Sequence, residues 1–170
     1  MSLLIVEDGT GVANANAYIN TDYADTYLSS LGISAWDNYS VPVKEKAIIE
    51  ATQTIDLVYN FSGVVTKDDQ DLEFPRTDCY DKKRNIFLPP SIIPVNLKNA
   101  TAELAYTRIS SNEALIESSG SEILKREKVG SLEVERFNQS SFQLTAKFKK
   151  VTNFLERYTE MARQKELSRG

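Results

Sequence analysis

The stretch Ser40–Tyr59, "SVPVKEKAIIEATQTIDLVY", has the clearest boundaries in the chain. Ser40 is a candidate N-cap, and Pro42 suits a first helical turn, where its missing N–H costs nothing. Ala47, Ile48, Ala51, Ile55 and Val58 then recur at spacings of three and four. That period marks one buried face of a helix lasting to about Tyr59. A helix with a single apolar face needs other elements to cover it.

Two further segments read the same way. Thr21 to Leu31 has Asn20 or Thr21 as a cap, Asp22 and Asp25 toward the positive end of the dipole, and Gly32 as a stop. Its stripe is Tyr23, Ala24, Tyr27, Leu28 and Leu31. Between these two helices, Ile33 to Tyr39 is expected as a loop that tucks Trp36 against the core. Pro94 to Ser110 carries Leu97, Ala100, Leu104, Ala105 and Ile109 on its buried side.

The segments between and after the helices differ in kind. "LLIVED" at residues 3–8 predicts a short strand or extended arm that breaks at Gly9 and Gly11. Phe61 to Pro94 holds four of the five prolines and predicts a long, irregular, partly extended insertion. Ile123–Phe137, "ILKREKVGSLEVERF", alternates, turns at Gly130 and is charged at nearly every other position, which predicts a β-hairpin. From Leu144 a stripe of Leu144, Phe148, Val151, Leu155, Tyr158 and Ala162 predicts an extended C-terminal helix. This helix is either a bundle member or an arm that packs on another copy. The expected fold is therefore mainly α: a small helical bundle with a long loop insertion, a hairpin and a C-terminal helix. Residues 1–137 form the expected main domain and 138–170 an extension.

Charge and composition narrow the function. The net charge is −4, which disfavours bulk phosphate binding but leaves room for a local basic patch. Histidine is absent, and Cys79 is the single cysteine. Those two facts remove the commonest general base, the ordinary catalytic triads, an internal disulfide and any multi-cysteine zinc site. Asp68, Asp69 and Asp71 read as a solvated turn. No enzyme activity, cofactor or metal is expected. No leader or membrane span is expected from "MSLLIV" either, since the run is short and meets Glu7 and Asp8.

The charges are also segregated. Residues 1–43 contain Glu7, Asp8, Asp22, Asp25 and Asp37 but no Lys or Arg, while Lys147, Lys149, Lys150, Arg157, Arg163, Lys165 and Arg169 dominate the C-terminal end. One acidic and one basic end suit pairing of identical copies. Single-stranded nucleic-acid binding needs aromatics among basic residues, and Tyr80, Lys82, Lys83, Arg84 and Phe87 in "DCYDKKRNIF" have that composition. A solvated loop is the alternative there.

In order, "LIVEDGTGVANANAYIN", "DYADTYL", "AIIEATQTIDLVY", "LEFPRT", "IPVNLKNATAELA" and "LKREKVGSLEVE" resemble the head-to-tail adaptor, or head completion, proteins of tailed bacteriophages. Members also carry the description DnaT-like single-stranded-DNA-binding protein. The resemblance spans about Leu3 to Glu135, and members more often have Trp where this chain has Phe74. It implies a subunit without catalysis that forms a ring, commonly a dodecamer. The ring would dock on the portal, lead to a tail or stopper protein and pass double-stranded DNA through its lumen. The implied location is the virion, after assembly in the host cytoplasm. The alternative is a single-stranded-DNA-binding accessory of replication or packaging. On the adaptor reading, the expected interface comprises Lys125, Arg126, Lys128, Val129, Leu132 and Val134 of the hairpin. It extends to Leu144, Lys147, Phe148, Lys149, Lys150, Val151, Leu155, Arg157 and Tyr158 of the C-terminal stripe. That stripe is expected to dock on the portal or on a neighbouring copy.

Overall fold

Helix α3 (Val95–Ser111) is the element the other helices pack on. Helix α1 (Thr21–Ser30), helix α2 (Val41–Val58) and helix α4 (Lys149–Leu155) all lie against it. The computed structural model describes residues 2–111, Leu115 and 148–160. Within them the fold is mainly helical with two small antiparallel hairpins.

The local causes follow the sequence. Asn20 caps α1, its side chain accepting from the Tyr23 amide at 2.9 Å. Ala24 and Leu28 are buried, while Leu31 closes the helix in the open. Ser34–Asn38 is a short 3-10 turn rather than a loop, and it drives Trp36 to complete burial. The indole Nε1 donates to Asp25 at 2.5 Å, and Lys44 reaches the same carboxylate. A buried Trp is stable only when its N–H is satisfied, and Asp25 does that here. Ala47, Ile48, Ala51 and Ile55 are buried where α2 packs with α3, and Leu97, Ala100, Leu104 and Ala105 of α3 share the same core.

The N-terminal arm is held to the body by a parallel bridge, Val6 to Ala17, by Asn16, which bonds the backbone of Leu3 and Ile5, and by Glu45 of α2, which accepts from the Ser2 hydroxyl and the Leu3 amide. The buried Glu7 carboxylate explains the loop that follows. It accepts from the amides of Gly9, Gly11 and Val12 at 2.8–2.9 Å. Gly9 is forced: its φ is +104°, and a Cβ there would lie 2.1 Å from the Ser91 carbonyl oxygen.

The insertion Phe61 to Pro94 is more regular than its prolines suggest. Strands β1 (Val64–Val65) and β2 (Arg76–Thr77) pair antiparallel, as do β3 (Tyr80–Asp81) and β4 (Ile86–Phe87). The Phe74–Pro75 peptide bond is cis. Phe74 enters the core edge-on to Phe61, with ring centroids 4.9 Å apart.

Two sequence expectations change at the C-terminal end. The helix expected from Leu144 to Ala162 is described as Lys149–Leu155, followed by turns through Tyr158. Phe148, Val151, Leu155 and Tyr158 are buried in the same core as α1 to α3. Those four residues therefore behave as members of the bundle, and Phe154 of the same segment packs against it half-buried. The predicted hairpin Ile123–Phe137, with Lys125, Arg126, Lys128, Val129, Leu132 and Val134, lies outside the described residues, as do Leu144 and Lys147.

Candidate interaction surface

"DCYDKKRNIF" folds as the β3–β4 hairpin, with Lys82 to Asn85 as its turn. Asp81 shapes that turn, its carboxylate accepting from the amides of Lys83 at 3.0 Å and Arg84 at 3.1 Å. Asn85 takes a left-handed φ of 59°, a conformation Asn tolerates, and its side chain receives the Tyr80 hydroxyl. Tyr80 and Phe87 pair across the strands at 5.2 Å. The tip is open: Phe87 is 63% and Ile86 47% exposed, and Lys83 and Arg84 are exposed beside them.

The hairpin is fastened to the C-terminal segment. Arg157 grips Asp81 through two hydrogen bonds, Nε to Oδ1 at 2.9 Å and Nη2 to Oδ2 at 2.7 Å. Burial pushes the Asp81 carboxyl up, but the Arg157 guanidinium and the two turn amides outweigh it and leave it below the usual range. The Lys82 amide donates to the Arg157 carbonyl, and its ammonium to that of Glu156. Phe61 bridges Thr159, and the Ser62 amide reaches the Tyr158 carbonyl. Residues 148–160 thus clamp both the start of the insertion and the hairpin.

Of the C-terminal cations expected to meet a partner's carboxylates, two are satisfied within the chain. Lys150 pairs with Glu103 of α3, and Arg157 with Asp81. Lys149 is exposed. Asp68, Asp69 and Asp71 are exposed on the β1–β2 connection, as a solvated turn requires. Cys79 is buried, and burial pushes its thiol up, away from the nucleophilic thiolate. Among the described residues no group of three or more His, Cys, Asp or Glu could hold a metal ion, and no helix is long and apolar enough to cross a membrane.

The "LEFPRT" motif also acquires a physical role. Arg76 is buried and donates to the carbonyls of Phe61, Ser62, Gly63 and Glu73, and it pairs with the Glu73 carboxylate. One guanidinium thereby ties together both ends of the first hairpin, a task matched to its several N–H donors. Next to it, the Tyr18 hydroxyl donates to Asp56 at 2.5 Å and accepts from the Phe74 amide at 3.3 Å.

The family model described as "Putative DnaT-like ssDNA binding protein" matches residues 2–170. The chain belongs to this family. The match runs through the C-terminal segment, so residues 148–160 and the hairpin they clamp are both inside the family's span. No curated protein and no solved structure matches the chain.

Sequence reasoning singles out Tyr80, Lys82, Lys83, Arg84 and Phe87; the structure brings them to one hairpin, with Lys82 turned onto the Glu156 carbonyl. It had missed Ile86, Asp81 and Arg76. The spacing of Asp81 from Lys83 and Arg84, a turn-forming Asx pattern before Asn85, was the available signal for the first two.

Proposed function

We propose that the protein is a structural subunit of a tailed bacteriophage: a head-to-tail adaptor that forms a ring between portal and tail and continues the DNA channel. One observation supports this most. Leu115 and Phe148 are both buried in the same core, and residues 116–147 join them in sequence. That span holds the alternating, charged stretch Ile123–Phe137. On this reading the stretch pairs as strands with other chains, its alternating charges setting the partner. On this reading the chain has no catalytic role. Its partners are further copies of itself, the portal, a tail or stopper protein and the double-stranded DNA in the lumen, and its place is the virion. Electron microscopy of purified portal with and without the protein tests it. A ring of added density on the portal is expected, and bare portals at saturating protein would refute it.

The exposed β3–β4 hairpin favours a second reading, single-stranded-DNA binding, in keeping with the family's description. Aromatic and basic side chains on one projecting element can stack bases and neutralise phosphates. Salt-sensitive binding of a fluorescent oligonucleotide by the free protein is the expected result of that reading.

A further inference from the structure

Two unlike surfaces among the described residues are complementary. The first is the β3–β4 tip, where exposed Lys83 and Arg84 make no ion pair among the described residues and stand beside exposed Ile86 and Phe87. The Asp81–Arg157 pair anchors this tip, so its side chains are carried on a fixed element. The second runs from α1 into the start of α2. Within residues 1–43 there are carboxylates and no Lys or Arg. Asp22 and Asp37 are exposed and make no ion pair among the described residues, and Leu31 and Val41 are 47% and 56% exposed on the same stretch. On the second surface Lys44 is taken up by Asp25 and Lys46 is exposed further along α2, which leaves Asp22 and Asp37 as carboxylates beside apolar area, against the cations and apolar area of the tip.

We propose that the β3–β4 tip of one copy docks on the acidic α1–α2 surface of a second copy. This rests on the adaptor-ring reading and names the surfaces that would meet. The surfaces belong to different elements, so the contact is between unlike patches and can repeat from copy to copy, as a ring needs. Phe87 and Ile86 supply most of the affinity, as buried apolar anchors do, while Lys83 and Arg84 orient the pair against Asp22 and Asp37. The rim charges make the association salt-sensitive.

Sedimentation velocity of the full chain tests this, with far-UV circular dichroism to confirm folding of each variant. The wild type should self-associate at high protein concentration and low salt, and less at high salt. Lys83→Glu with Arg84→Glu should weaken association by about tenfold or more, since like charges then face each other. Asp22→Lys with Asp37→Lys should do the same. An equal mixture of the two double variants should associate again, because each tip then meets a surface of opposite charge. Phe87→Ser should weaken association without changing its salt dependence. A wild type that stays monomeric at low salt, or charge variants that associate normally, would overturn the proposal. So would loss of oligonucleotide binding by the Lys83/Arg84 variant with unchanged self-association, which would make the tip a nucleic-acid contact. Imaging the same variants with portal keeps the two ideas apart: normal rings from them would sink this contact and leave the adaptor reading standing.

Discussion

Asp81 and Arg157 are 76 residues apart in sequence and meet through two hydrogen bonds, 2.9 and 2.7 Å long. The pair joins the β3–β4 turn to the segment that follows α4. Arg157→Ala would leave the inaccessible Asp81 carboxylate with only the Lys83 and Arg84 amides. Breaking one side of a buried pair typically costs about 3–5 kcal/mol. Arg157 is partly accessible to water, so a value toward the low end is expected. Urea unfolding should show the loss. A double-mutant cycle with Asp81→Asn should give a coupling of 1 kcal/mol or more, on the order seen for contacting charged groups. Additive losses would show that the pair does not hold the hairpin.

The Asp56 carboxyl sets a pH dependence. Burial raises it to about 7 from an ordinary 3.8, against the opposing Tyr18 and Glu73 amide hydrogen bonds, with the Glu73 charge raising it further and Arg76 lowering it. The folded state then binds more protons than the unfolded state between those values, so this group's contribution to stability falls as pH rises from about 4 to 7. Asp56→Asn, which cannot ionise, should flatten that slope. The chemical-denaturation midpoint at pH 5, 6, 7 and 8 measures it; equal slopes for both proteins would show that Asp56 is ionised throughout.

Two glycines separate strain from collision. Gly63 has φ +77°, and a Cβ there would lie 2.2 Å from the Thr77 carbonyl oxygen. Gly32 has φ +75° with nothing within 4 Å. Gly32→Ala should cost roughly 1 kcal/mol, the left-handed conformation alone. Gly63→Ala should cost several times more, because the β1–β2 hairpin must move. Thermal unfolding of both variants decides, and equal losses would show that the hairpin yields.

Trp36 tests the core. Trp36→Ala removes a fully buried indole and should cost about 3–5 kcal/mol. Trp36→Phe keeps most of the volume but strips Asp25 of its indole donor, so a smaller loss is expected, measured by the same unfolding.

How much of this was legible in the sequence depends on the range of each interaction. The α2 stripe Ala47, Ile48, Ala51 and Ile55 and the Asn20 cap are local patterns, and both stand in the structure. The burial of Phe148, Val151, Leu155 and Tyr158 was legible too, but their partner was not. A periodic stripe says that a face leaves water, and nothing about which surface covers it. Strands of two residues are too short for any alternation to register, so β1 to β4 were hidden in a proline-rich insertion. The Glu7 clamp on its following loop and the Arg76 clamp on the insertion depend on burying a charge, which hydropathy alone argues against.

Residues 123–137 carry the central claim, that the span between Leu115 and Phe148 is the assembly element. The most direct measurement replaces them with a Gly/Ser segment of equal length and images the variant with purified portal. The core residues on both sides are untouched, so thermal unfolding should stay near that of the wild type while rings on the portal disappear. A variant that keeps its fold and still forms complete rings on the portal would contradict the claim.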